Sequence, residues 1–172
     1  MTEQHPTPVS TAQLVITDPD EMHEYGVRLG GALTAGDLLV LTGPLGAGKT
    51  TLSRGIGEGL GIRGPVTSPT FVVARTHPSL VGGPPLIHVD AYRLADADEL
   101  DDLDLDFARS VVIAEWGEGL IEQGAESWLH LVIERPTGGE RPADASTDDA
   151  PIEPRTLSVR GYGPRWQNGV PL

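Results

Sequence analysis

Residues 43–51 of the chain read GPLGAGKTT, and Gly43, Gly48, Lys49 and Thr50 within them satisfy the pattern G-x-x-x-x-G-K-[ST]. Each residue type has a physical job. Gly43, Gly46 and Gly48 let the backbone wrap phosphate oxygens with its N–H groups. A helix starting at the end of the loop adds partial positive charge. Lys49 neutralises the β/γ-oxygens, and the Thr50 hydroxyl is a Mg²⁺ ligand. The predicted nucleotide-binding run is therefore Leu45, Gly46, Ala47, Gly48, Lys49, Thr50 and Thr51. Among the 12 Lys and Arg residues every cation is arginine except Lys49. Lysine stands where a compact ammonium must reach a phosphate. The loop specifies a triphosphate and its metal, but not what the nucleotide is used for.

A loop of this kind also needs an acid at the end of a neighbouring strand to hold Mg²⁺ or its water. Two segments supply one: VVIAE ends in Glu115, and LIHVD ends in Asp90. Either can be the metal acid, with the other positioning the attacking water. TSPT, with Thr67, Ser68 and Thr70, offers three hydroxyls around a proline. Such a loop senses the γ-phosphate in switch NTPases, although the same tetrapeptide also makes an ordinary turn. His88-x-Asp90 has metal-pair spacing without a third histidine at a suitable distance, so His88 reads as a packed strand residue. The acid run DADELDDLDLD (96–106) reads as a solvated helix and turn and lacks an EF-hand pattern.

The elements that must position these residues are visible as patterns. DLLVLTG (37–43) is a buried strand entering the loop, and KTTLSRGIGEGL (49–60) is the helix leaving it, stopped at Gly61. QLVIT (13–17) is a strand followed by a helix with Asp18 as N-cap, Pro19 at its first position and Glu21 closing a capping box. TFVVART (70–76), PLIHVDAY (85–92), VVIAEW (111–116), WLHLVIE (128–134) and RTLSVRGY (155–162) read as further strands. The long connections before position 116 suit parallel pairing, and the last two strands suit an antiparallel pair. The predicted fold is α/β: a P-loop NTPase-like three-layer arrangement, its central sheet mostly parallel, with antiparallel strands added near the C-terminus. Residues 1–12 read as a disordered N-terminus, 13–163 as one P-loop nucleotide-binding domain, 135–154 as a disordered insert and 164–172 as an unstructured tail.

Composition narrows the class. The 172 residues suit a single domain with a real core. A net charge of −13 disfavours a protein that grips nucleic acid by itself and fits docking on a basic protein partner. Zero cysteines exclude thiol catalysis and Cys-type zinc sites. Neither a signal peptide nor a run of about 20 apolar residues is present, so a cytoplasmic protein with no membrane partner is expected.

The GTPase pair D-x-x-G and N-K-x-D is absent, as are signature glycines of the LSGGQ kind. A small-molecule kinase remains the alternative, although the inserts are acidic or Pro/Gly-rich and show no arginine-bearing lid. A nucleotide-gated module that does not hydrolyse is a third class. GPLGAGKTTLSRG, TSPTFVV, HVDAYRL and IAEW, in this order and spacing, resemble the TsaE (YjeE-like) ATPases over roughly residues 13–134 and the final strand. The resemblance implies an ATP- and Mg²⁺-dependent switch in tRNA threonylcarbamoyladenosine synthesis. It would act on TsaB- and TsaD-like partners, with tRNA contacted only through the complex. It further implies Lys49 as the phosphate lysine, Thr50 and Glu115 as metal ligands, and Asp90 as the acid needed for hydrolysis. Thr67, Ser68 and Thr70 would be switch-like, Arg155 would contact nucleotide, and the region of Pro19 and Asp20 would lie by the base. One residue departs from the family: an acid usually stands where Pro44 is, and proline removes a backbone donor from the loop.

Overall fold

The computed structural model describes residues 7–44, 48–62, 64, 66, 74–90, 106–115, 125–135 and 154–172. In chain order the elements are β1 (Ser10–Ile16), α1 (Pro19–Ala32), β2 (Leu38–Thr42), α2 (Lys49–Leu60), β3 (Ala74–His77), β4 (Leu86–Asp90), β5 (Val111–Glu115), β6 (Trp128–Glu134) and β7 (Arg155–Tyr162). The strands form one seven-stranded sheet in the order β1-β7-β6-β2-β5-β4-β3. Its middle, β6-β2-β5-β4, is parallel. The expected α/β class with a parallel centre is therefore observed, and β6–β7 is antiparallel as predicted.

The burial of these strands explains their pairing. LLVL of β2 and VVIAE of β5 are buried throughout, as strands covered on both faces must be. Side chains alternate across the sheet. Leu39, Leu41, Val111, Ile113, Leu129 and Leu131 face a core shared with Tyr25 and Leu29 of α1 and Leu52 and Ile56 of α2. Leu38, Ile87, Val89, Val112 and Ala114 form a smaller cluster on the other face, with Phe107 and Trp128 packed against it. Both helices thus serve one face. The third layer of the expected arrangement is not among the described residues.

The helices cross at very short range. A Cβ on Gly30 would lie 2.3 Å from the Ile56 carbonyl oxygen, and one on Gly55 would lie 2.3 Å from that of His23. Gly26 and Gly59 are equally crowded, so glycine on both helices is what allows backbone to meet backbone. At the start of α1 the predicted cap forms: the Glu21 N–H donates to Asp18 Oδ1 at 2.8 Å. The Glu21 carboxylate accepts from the Thr17 N–H at 2.9 Å, and this bond holds its pKa below the usual value.

Three expectations need correction. The N-terminal strand begins at Ser10, not 13, because Ser10–Ala12 continue the ladder opposite Val159–Gly161 of β7. The connection 77–85 joins an antiparallel pair, β3–β4, and not a parallel one. Ser79 Oγ accepts from the Val81 and Gly83 N–H groups, folding this stretch into a turn short enough for a hairpin.

The third correction concerns the C-terminal stretch, which is not an unstructured tail. Pro164–Trp166 form a 3₁₀ turn that buries Trp166 to 3% exposure. The Trp166 carbonyl accepts from Ser10 Oγ at 2.6 Å, and the Pro171 carbonyl from the Tyr25 hydroxyl at 2.9 Å. Burial of one large aromatic ring outweighs the ordering entropy that the polar composition suggested. Among the described residues no helix is long and apolar enough to cross a membrane.

Candidate functional site

The site lies at the carboxyl ends of the parallel strands, where open α/β sheets bind ligands. β2 delivers the chain to Gly43, and α2 starts at Lys49. Gly48 has φ of 115°, a conformation an L side chain resists, and makes no side-chain cap. The amino end of α2 therefore presents its N–H groups without a competing side chain. Lys49 is 8% exposed, and its Nζ donates to the carbonyls of Gly43 (2.5 Å) and Pro44 (3.2 Å). Pro44 lacks an N–H but still contributes to the site as an acceptor. Burial pushes the Lys49 ammonium below its ordinary pKa, and the Glu115 carboxylate pushes it back up. Thr50 and Thr51 occupy the first turn of α2, both half-buried.

The two candidate acids are brought together. Asp90 and Glu115 end neighbouring parallel strands and stand opposite each other in register, while Glu115 also pairs with Leu41 of β2. By strand alternation both share the helix-bearing face with Leu86, Val111 and Ile113. Glu115 is 6% exposed and Asp90 half-buried. No group of three or more His, Cys, Asp or Glu residues forms a metal cluster among the described residues. Thr50, Glu115 and Asp90 offer oxygen donors only. Mg²⁺ commonly takes one or two protein carboxylates and completes its shell with phosphate and water, so this donor set fits it.

Arg155 enters from a distant part of the sequence. It opens β7 opposite Ile16 of β1, immediately before the turn into α1. A Cβ on Gly48 would lie 3.1 Å from Arg155 Nη1 and 3.2 Å from Met22 Cε. A guanidinium and a thioether thus border the loop from the β7 and α1 sides. Met22 was not anticipated. Its signal is positional, since the capped first turn, with Pro19 and Asp20 in it, fixes where the next side chain points. His88, read as a packed strand residue, is 0% exposed, and its Nε2 lies 3.6 Å from Glu115 Oε2.

The model of the family described as "Threonylcarbamoyl adenosine biosynthesis protein TsaE" matches residues 16–142. The chain belongs to the TsaE family. A TsaE from Streptomyces coelicolor is 55% identical over 148 residues, covering 84% of this chain and 93% of that protein. The Bacillus subtilis TsaE is 39% identical over 127 residues, covering 72% of this chain and 78% of its own. The crystal structure of Bacillus subtilis YdiB is similar with a TM-score of 0.64 at 27% identity, covering 94% of this chain and 91% of that one.

Within this TsaE chain the family match ends before β7, so Arg155 is placed at the loop by geometry alone. The predicted nucleotide contacts Leu45, Gly46 and Ala47 lie outside the described residues. So do the switch candidates Thr67, Ser68 and Thr70, the acid run up to residue 105, and residues 136–153 of the insert.

Proposed function

We propose that this TsaE-family chain is a cytoplasmic ATPase of tRNA threonylcarbamoyladenosine synthesis that works as a nucleotide-driven switch on a TsaB–TsaD-like pair. The observation that carries the reading is one cluster: buried Lys49 in the field of buried Glu115, with Asp90 in register beside it, at the head of α2. Neither buried charge would stay ionised cheaply without the other or an ionic ligand.

In this reading Lys49 leaves its own loop carbonyls to meet the β/γ-phosphates. The N–H groups from Leu45 to Thr51 surround the phosphates. Thr50 and Glu115 would hold Mg²⁺, whose charge, when present, offsets that developing on the phosphoryl oxygens. Asp90, less buried and one strand further out, orients the water that attacks the γ-phosphate. Arg155 and Met22 bound the nucleotide from the side of β7 and α1. Thr67, Ser68 and Thr70 report the γ-phosphate to the partners. The net charge of −13 leaves tRNA binding to those partners and suits a basic docking face.

Pull-down of TsaB- and TsaD-like proteins in ATP, with phosphate release measured with and without them, tests the proposal. Nucleotide-dependent capture and stimulated release are expected. No association under any nucleotide condition overturns the switch, and turnover stimulated by a metabolite in place of the partners would make the chain a kinase.

A further inference from the structure

His88 is packed where an aliphatic residue would serve. It lies in β4 with Ile113 of β5 as its register partner, on the face that carries Leu86 and Ile113 into the main core. It is 0% exposed, and neither ring nitrogen has a hydrogen-bond partner among the described residues. A buried imidazole left in that state costs about 1–3 kcal/mol that leucine or phenylalanine would not. The polar atom it points toward is Oε2 of Glu115, on the diagonal neighbour across the strand pair, at 3.6 Å. That distance lies beyond a hydrogen bond, and closing it takes a shift of roughly half an ångström.

Glu115 is 6% exposed and acts electrostatically on Lys49, and the His88 imidazole lies against its carboxylate on the side of β4. A carboxylate that gives one oxygen to a metal is held by whatever bonds its other oxygen. We infer that His88 is a positioning residue for Glu115, donating a hydrogen bond from Nε2 to Oε2 when the carboxylate turns to its metal-holding orientation. The inference rests on Glu115 being the metal ligand. The cost of the unpaired imidazole is then the strain that the loaded state relieves.

The test uses the full chain, Mn²⁺ as the metal probe and a non-hydrolysable ATP analogue, with free Mn²⁺ followed by electron paramagnetic resonance. His88→Phe is expected to weaken Mn²⁺ binding in the presence of the analogue by about 10-fold. Affinity for the analogue without metal should stay within about 2-fold. His88→Gln, which can place an amide N–H near the Nε2 position, should recover most of the loss. Unchanged Mn²⁺ binding in a folded His88→Phe protein overturns the inference. So does an equal loss of metal-free analogue binding, which a merely structural role would give.

Nitrogen NMR of the wild-type imidazole does not depend on any variant folding. A proton on Nε2 is expected, and a bare Nε2 facing the carboxylate overturns the proposal. Glu115→Gln measured alongside separates the two layers. If it binds Mn²⁺ as wild type does, the metal-ligand reading has failed. If it loses Mn²⁺ and His88→Phe does not, only the role of His88 has.

Discussion

The two ends of the parallel strands treat buried polar groups in opposite ways. At the amino end, Asp37 is satisfied by this chain alone. Its carboxylate accepts from the Thr34 N–H at 2.8 Å and from Arg165 Nε and Nη2 at 3.2 and 3.4 Å. The Arg165 guanidinium also lies 4.5 Å over the Trp166 ring, and Ser10 ties the same turn to β1. At the carboxyl end, Lys49 Nζ donates to the Gly43 and Pro44 carbonyls, and His88 Nε2 stops 3.6 Å from Glu115 Oε2 with no hydrogen-bond partner for either ring nitrogen among the described residues. A closed network rigidifies, whereas partly satisfied groups are poised for something that arrives later. One end is closed by the chain's own groups, and the other is where the proposed nucleotide would bind.

Breaking the waiting end should remove function and leave the fold. Lys49→Ala has the largest expected effect. It deletes the charge-assisted contacts to phosphate and should lower ATP affinity by at least ~100-fold, on the order of two such bonds. Titration calorimetry reads the affinity, and a melting temperature at or above wild type shows that the fold survives. The second outcome follows from relieving a buried ammonium whose ionised form burial already penalises. Retained tight binding would place the nucleotide elsewhere.

Breaking the closed end should do the reverse. Trp166→Ala empties a site that is 3% exposed and should cost about 3–5 kcal/mol in urea unfolding. Its affinity for nucleotide, measured where the variant is folded, should match wild type. Gly30→Ala ranks next. A methyl 2.3 Å from the Ile56 carbonyl oxygen forces α1 away from α2, at about 1–3 kcal/mol. This variant also sharpens the comparison, because α2 carries Lys49 on its first turn. Its nucleotide affinity should fall with its stability, unlike that of Trp166→Ala.

How much of this was legible in the sequence depended on whether the signal was local. The start of α2 at Lys49, the cap at Asp18 and the side-by-side strand ends at Asp90 and Glu115 were all readable, because a spacing rule or an apolar run fixes each within a few residues. The strand β7 was read to the residue, Arg155–Tyr162, from alternation alone. Pairings over long separations left no local trace. Nothing near Ser10 says that it will bond a carbonyl 156 residues away, and nothing in GPRWQNGVPL says that its tryptophan will be buried. The glycines of α1 and α2 carry no local signal for the same reason. Each looks like a helix weakness until the two rows face each other.

The smallest predicted effect concerns His77, which closes β3 opposite Leu86 and is an exception to the contrast, an unpartnered buried group at the amino end of β4. It is 6% exposed and its Nε2 has no partner among the described residues. Its pKa is held below the ordinary histidine value, first by burial and then by His88 and Arg75. The unfolded chain therefore takes up a proton at a higher pH than the folded one, and below that pH unfolding is favoured. Stability contributed by neutral His77 is fully present above the unfolded pKa of about 6.5 and is lost as pH falls toward the folded value. Urea midpoints at pH 7.5 and pH 5.5 should fall for the wild type, and fall less for His77→Leu. An equal acid sensitivity in the two proteins would show that water reaches this edge of the sheet. The division would then run not between the two ends of the strands but between the sheet's interior and its β3 margin.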